Sequence, residues 1–382
     1  MAALAALLAL GGCLVLAPGP SAPPPRPAPA SRAAARLAPP RMQLMRGVLH
    51  CHSRWSHDSP GRPERIVAAA RRVGLDFVAL TDHARHRPGL VLAAARGWRD
   101  GVLLLAGVEL RAAGASALGI DVNLPLPPRG GRDRAEPFER LRATGALVLL
   151  GHAESFRAWK DWETIAPSVD GLEIANLHAM ALAAPRWRVG LEALALPPRA
   201  FFRRLVARLP QRVLDRWDAL GSRRPLPGWG GADPHENIRL LGARGGVVVP
   251  YEQAFRAVCN YVWVRERSAE ALREGLAHGR GWVAFEFAAS AADFRCAVLD
   301  ETRGFCAGPG ETIRWRAGLV LEARAPGADE LRLLCDGTLR VRARTSVRLP
   351  LDRPGVWRVE AWREGVRWVI ANPVYVRGSS GR

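Results

Sequence analysis

The sequence predicts a mixed α/β protein: parallel strands with crossover helices followed by a small all-β sandwich. Three observations predict it. From about Gln43, short apolar runs alternate with helical stretches, the pattern of parallel strands joined by crossover helices. After about Ser290 the pattern changes to short alternating segments separated by turn residues. Most of the nine histidines sit at or just beyond the carboxyl end of an expected strand, and in an α/β barrel those ends open on one face.

Taken in chain order, residues 1–17 are apolar and uncharged, a signal-like or lipoprotein-like segment. About sixteen apolar residues span roughly 24 Å as a helix, short of a ~30 Å hydrocarbon core. A signal-peptide core is therefore expected rather than a membrane span, although no Lys or Arg precedes Arg26. The run Leu10-Gly11-Gly12-Cys13 resembles a bacterial lipoprotein cleavage box, which would make Cys13 a lipid-modified first residue. Residues 18–43 form a Pro- and Ala-rich linker. The chain is thus expected to be exported, periplasmic or at the cell surface with a membrane tether through its N-terminus. The alternative is a plain unprocessed tail on a cytoplasmic protein.

The α/β part is expected over 44–290. Its strands are read at 47–52, 76–81, 101–109, 146–152, 171–176, 229–233 and 261–264. A helix over Pro63–Val73 has Pro63 for its first turn, an apolar stripe of Ile66, Val67, Ala70 and Val73, and Gly74 as left-handed cap. A second, over 269–278, follows the N-cap residue Ser268 and stops at Gly279. Between about 180 and 228 lies an arginine-rich helical insertion, read as a lid or side excursion. The β-sandwich domain is placed at 291–376, with strands near 312–315, 319–324, 330–335, 339–344, 356–360, 368–370 and 374–376, and a tail at 377–382.

Composition narrows the function. The 38 Gly and 30 Pro are about 18% of 382 residues, below the roughly 25–30% typical of low-complexity chains. The net charge of +19 would ordinarily suggest nucleic acid. Yet the only lysine is Lys160 and the arginines are scattered, which disfavours nucleic acid as the primary partner while still favouring small anionic substrates. No protein partner is indicated. None of the six cysteines, Cys13, Cys51, Cys259, Cys296, Cys306 and Cys335, lies in a Cys-x-x-Cys pair, so a structural zinc site is not expected and disulfide pairing stays open. Cys51 is read as a small buried hydrophobe facing away from its flanking histidines.

The chemistry lies in the histidines. In His50-Cys51-His52 the imidazoles are i and i+2 on one strand, able to chelate one ion. Weight comes from Ser56-His57-Asp58, Thr81-Asp82-His83, Gly107-Val108-Glu109, Gly151-His152 and Gly231-Ala232-Asp233-Pro234-His235, which together make a metal cluster the favoured reading.

This ordered set resembles the PHP family, named for polymerase and histidinol phosphatase domains, over about 44–290. The resemblance implies a distorted (β/α)7 barrel that carries two or three divalent ions and hydrolyses phosphoesters. It implies that His50, His52, Glu109 and Asp233 hold the first metal, that Glu109 bridges to a second held by His152 and His178, and that His57, His83 and His235 match third-metal positions. Where many relatives have Ser-Asp-Gly this chain has Ser56-His57-Asp58, so either His57 or Asp58 is the ligand, with His57 favoured by position. The C-terminal run from Trp357 to Val376 looks like the β-domain of some exported PHP hydrolases.

Paired cations lower the pKa of a shared water and clamp the oxygens of an in-line phosphoryl transfer. A carboxylate can bridge two ions where an imidazole cannot, which assigns that role to Glu109. Arg85, Arg87 and Arg111, just after metal-bearing strand ends, are the candidates for holding the phosphate. Mixed imidazole and carboxylate ligands admit Zn, Mn and Fe alike. The expected activity is a metal-dependent phosphatase or phosphodiesterase acting, through a metal-bound hydroxide, on a small phosphorylated metabolite or nucleotide. The alternatives are a metallohydrolase of a carboxyl, carbamate or amide ester, and a non-catalytic cell-envelope binding protein. Every candidate ligand precedes residue 290, so the metal site is expected to survive removal of the β-domain.

Overall fold

In the computed structural model, which describes residues 32–83, 96–112, 114–123, 125–127, 133–237 and 247–378, seven strands close into a barrel. They are β1 (Gln43–Cys51), β2 (Phe77–His83), β3 (Val102–Ala112), β4 (Ala115–Ile120), β5 (Leu147–Gly151), β6 (Gly171–Asn176) and β7 (Gly228–Gly231). Pairing of Leu49 with Gly231 joins β7 back to β1. Residues 1–31, with the expected leader and Cys13, lie outside the described residues. Among the described residues, no helix is long and apolar enough to cross a membrane.

The barrel departs from a strict β/α repeat. Strand β4 runs antiparallel to both β3 and β5, while the other barrel pairs are parallel. The sequence reading passed over Ala115–Ile120, because Ala-Ser-Ala-Leu-Gly-Ile carries few of the β-branched and aromatic residues that mark a strand. The run read at 261–264 is a strand, β8 (Cys259–Val264), but it lies outside the closed ring. It pairs antiparallel with the first half of β1 and hands the sheet on to β9 (Gly281–Ala284).

Alternation along the strands fills the barrel. Met45 and Leu49, Phe77 and Ala79, Leu103 and Leu105, and Leu147 and Leu149 form one buried cluster with Trp229. The intervening residues, such as Val48, Val78 and Leu104, pack outward against the helix Pro63–Val73. That helix has the predicted bounds, and Gly74 closes it at φ 74°, its N–H donating to the carbonyls of Ala70 and Arg71. The helix Ala269–Ala277 begins where Ser268 accepts a hydrogen bond from the Ala271 N–H. The insertion folds into helices Arg186–Ala195, Pro198–Val206 and Gln211–Arg223, whose residues Phe201, Phe202, Leu205, Leu214 and Trp217 join a cluster with Leu172 and Ile174 of β6.

The C-terminal strands are continuous with this architecture. Val366–Ala371 pairs with β9, so the barrel sheet extends past residue 290, and a separate four-stranded sheet contains Arg295–Asp300 and Leu319–Arg324. One hydrophobic cluster contains Val48, Ile66 and Trp282 together with Val298, Leu321 and Trp357. Polar contacts cross the same boundary. Asn372 accepts from the Gly228 N–H at 2.7 Å and donates to its carbonyl at 3.1 Å, fixing the start of β7. The fully buried Arg358 donates twice to Asp218, at 2.8 Å each. The five described cysteines are free, and Cys51 is buried beside Ile66 and Tyr251.

Candidate metal centre

The inward-facing series that plugs the barrel turns polar at the strand ends. On β2 it runs Phe77, Ala79, Thr81, His83, and on β3 it runs Leu103, Leu105, Gly107, Glu109, so His83 and Glu109 stand opposite each other in the strand register. On β1 the approach differs from simple alternation. The pairing with β2 shifts register between Val48 and Cys51, and His50 adopts a left-handed φ of 58°. His152 after β5 and Asp233 after β7 do the same, at 52° and 44°. Such conformations cost a non-glycine residue on the order of 1–3 kcal/mol each and persist where the surroundings over-determine them. Here the Asp233 N–H donates to the His50 carbonyl at 2.7 Å, locking the two strand ends together.

Glu109 lies at the centre. Its Oε2 is 3.3 Å from His50 Nε2, 3.2 Å from His52 Nε2 and 3.3 Å from His83 Nδ1, and its Oε1 is 3.6 Å from His152 Nε2. Asp233 Oδ1 lies 3.4 Å from His50, 3.2 Å from His52 and 3.6 Å from His235 Nδ1. Further out, Asp58 Oδ2 is 3.1 Å from His83 Nε2 and 3.5 Å from His235 Nε2. Ligand atoms close enough to share an ion therefore form a connected chain of sets: His50 with Glu109 and His152, His50 with His52 and Asp233, His52 with His83 and Glu109, and His52 with Asp58 and His235.

These residues fit a cation. His52 Nε2 and Asp233 Oδ1 are buried and 3.2 Å apart, yet neither makes a hydrogen bond. An orphaned imidazole nitrogen facing an orphaned carboxylate oxygen is costly unless something positive lies between them. Charge points the same way. Burial would lower the His50 pKa, but Asp233, Glu173 and Glu109 hold it well above the ordinary 6.5. At His52 burial again lowers the pKa, but the negative charge of the Asp233 and Glu109 carboxylates outweighs it and raises the pKa to about 9. Glu109 overcomes burial at His152, also to about 9. Conversely, burial alone would raise Glu109 and Asp233, but the imidazoles drive both well below the carboxylate range.

The other predicted residues divide. His57 reaches only one set, with Asp58 and His83; its side chain is one-third exposed, and its Nε2 is 3.9 Å from Asp58. Asp58 belongs to two sets, so the geometry gives it the more central place than the favoured His57. His178 does not enter any of these sets; its ring centroid lies 5.5 Å from that of His235. Arg111 is exposed on β3, two residues beyond Glu109. Arg85 and Arg87 lie outside the described residues.

Sequence reading missed the residues that orient the ligands. Glu173 accepts from His50 Nδ1 at 2.8 Å and from the His152 N–H at 2.7 Å, and Asn176 donates to Glu173 and to Asp233 at 3.1 and 3.2 Å. Ser116 donates to Glu109 Oε1, and Tyr251 donates to the His52 carbonyl at 2.8 Å. Such outer partners fix the ring orientation and basicity of metal-ligating histidines. Gly231 leaves the room: a Cβ there would sit 1.7 Å from Glu173 Oε1. A signal for Glu173 was present, since a carboxylate inside the apolar run Gly171-Leu172-Glu173-Ile174-Ala175 is seldom buried without a partner.

With this geometry in hand, comparison with known proteins is decisive for one stretch. Residues 49–155 match the PHP domain. Over that stretch the chain is similar to the PHP domain. The matched stretch contains His50, His52, His57, Asp58, His83, Glu109 and His152, while Asp233 and His235 join them from beyond it. An uncharacterized protein of Methanocaldococcus jannaschii is 26% identical over 146 residues, which cover 35% of this chain and 83% of that protein. Among solved structures, a two-domain protein from Bacteroides vulgatus containing a predicted PHP-like metal-dependent phosphoesterase aligns with 87% of this chain and 96% of its own. Its TM-score is 0.43 and its identity 17%. An amidohydrolase from Chromobacterium violaceum, solved with sulfate and no metal, aligns with 52% of this chain and 89% of its own at a TM-score of 0.33 and 15% identity. Neither structure resembles this chain closely enough to carry its chemistry over.

Proposed function

We propose that this protein is a metal-dependent hydrolase of small phosphoesters, with two or three divalent ions of Zn, Mn or Fe type. The observation that carries the reading is Glu109, whose two carboxylate oxygens face different imidazole sets: Oε2 toward His50, His52 and His83, Oε1 toward His152. A carboxylate so placed can be shared between two cations. Ions held there would supply Lewis acidity that polarises a phosphoryl oxygen and acidifies water.

The chain's own residues supply the rest. His50, His52, Glu109 and Asp233 would hold the inner ion, with His152 the next ligand along Glu109; Asp58, His83 and His235 offer the outer position, with His57 at its rim. Glu173 fixes the His50 ring through Nδ1 and leaves Nε2 to face the carboxylates. Arg111 lies on the same strand face as Glu109, two residues further out, where it is placed to attract an anionic substrate. Export with an N-terminal tether remains part of the reading.

Activity on p-nitrophenyl phosphate, bis(p-nitrophenyl) phosphate and p-nitrophenyl acetate, with metal restored, tests the proposal. Release from the phosphate substrates and not from acetate is expected. Preferential acetate hydrolysis would assign the site to carboxyl esters, and no turnover of any substrate would make the chain a binding protein.

A further inference from the structure

The helix Arg186–Ala195 is built inside out. Its one carboxylate, Glu192, is 6% exposed and paired with Arg188, Arg204 and Arg208, while Trp187, Leu191 and Leu194 are 70%, 58% and 52% exposed. At about 100° per residue these three side chains fall within roughly 60° of one another around the axis, on the side away from Glu192. Leu182, at the end of the preceding helix, is 50% exposed as well. These four are among only six large hydrophobics exposed in the described residues. A contiguous apolar face of this kind on a soluble domain marks a surface that something covers.

Charge says what covers it. Between Leu182 and Leu209 the sequence contains six arginines and Glu192 as its one carboxylate. Arg186 and Arg203 are exposed, as are Arg188 and Arg204, which share Glu192, and Arg199, which pairs with Glu364; the last three side chains are 58%, 53% and 55% accessible. Glu192 serves three of the six arginines and Glu364 a fourth, so cations remain in excess around the Trp- and Leu-bearing face. A second copy of this chain, docking the same patch in an isologous contact, would bring arginine against arginine on a molecule already at +19. An anionic lipid surface instead satisfies both features, taking the apolar side chains at the headgroup boundary and the guanidinium groups at its phosphates.

We propose that the face made by Trp187, Leu191 and Leu194 docks the protein on anionic phospholipid membranes. This surface belongs to the folded domain and is separate from the reaction proposed above. The excursion that bears it starts beside the metal centre, where His178 of the helix Leu177–Leu182 lies 5.5 Å, ring to ring, from His235.

The test is co-sedimentation of the full chain with vesicles of 7:3 phosphatidylcholine and phosphatidylglycerol, and with phosphatidylcholine alone. Full-chain protein and a Trp187→Ser, Leu191→Ser, Leu194→Ser variant are compared, with thermal melting confirming that the variant folds. The expected result is at least tenfold tighter binding to the anionic vesicles, weakened at least tenfold by the triple substitution and reduced by high salt. Equal binding by the two proteins would assign any membrane affinity to another part of the chain and overturn the proposal. Failure of the unsubstituted chain to bind would also overturn it. So would a change from dimer to monomer on substitution, read by light scattering, because the face would then belong to a second copy.

Discussion

Glu173 Oε1 lies 2.8 Å from His50 Nδ1, and through that contact a residue that would touch no metal decides which nitrogen His50 presents to the site. Its other oxygen takes the His152 N–H, so one buried carboxylate steadies two candidate ligands whose backbones are both left-handed. Outer partners of this kind typically account for about 10–100-fold in metal affinity or activity. Glu173→Ala is expected to weaken metal binding by that order while leaving every proposed ligand in place. Titration with Zn or Mn monitored by a competing chelator reads it, and unchanged affinity would reduce Glu173 to a structural residue.

The outer set turns on Asp58. Its carboxyl is held well below the ordinary range: burial would raise it, but hydrogen bonds to His235, His83 and Ser56 dominate. Asp58→Ala is therefore expected to remove an ion from the outer position and cut turnover at least tenfold, with His57→Ala costing less. Metal content and rate of the two variants measure this. The reverse ranking would return the role to His57, and no change from either would mean a binuclear site.

The C-terminal strands are predicted to be indispensable. Arg358 and Asp218 are both buried, and removing one partner of such a pair costs up to about 3–5 kcal/mol, less here because Arg358 keeps its second buried partner, Glu360. Asp218→Ala should lower unfolding stability measurably, by less than that bound, in denaturant titration. A chain ending near residue 290 would lose Arg358, the Asn372 clamp on Gly228 and half of a shared core, and is expected to be insoluble. A soluble, metal-binding truncation would show that the barrel folds alone.

Much of this was legible in the sequence. Pro63 and Gly74 bound their helix as read, and His50, His52, Glu109 and Asp233, singled out by their strand-end motifs, lie together in the fold. Three things were hidden, each because it depends on distant neighbours. Strand β4 is held by pairing with β3 and β5 rather than by its own propensity. The choice between His57 and Asp58 depends on where His83 and His235 fall. The shared core across residue 290 arises from long-range packing, which a change in local periodicity cannot reveal.

Proton linkage gives a separate handle. In the metal-free fold, His52 and His152 are raised to about 9 from 6.5, so their contribution to stability is fully present below pH 6.5 and lost as pH rises through about 9. A cation replaces those protons. Metal uptake at neutral pH should release about one proton per displaced imidazole, and apparent affinity should climb about tenfold per pH unit per proton up to about pH 9. Calorimetry in buffers of differing ionisation enthalpy measures the release, and an affinity independent of pH would contradict the assignment of these imidazoles as ligands.

The central claim is that Glu109 is shared between cations, and elemental analysis of the full chain purified without chelator, beside Glu109→Gln, tests it most directly. Two or three divalent ions per chain are predicted for the unsubstituted protein, falling by at least one in the variant, because a neutral amide cannot serve two cations. Equal metal content in the two proteins would contradict it.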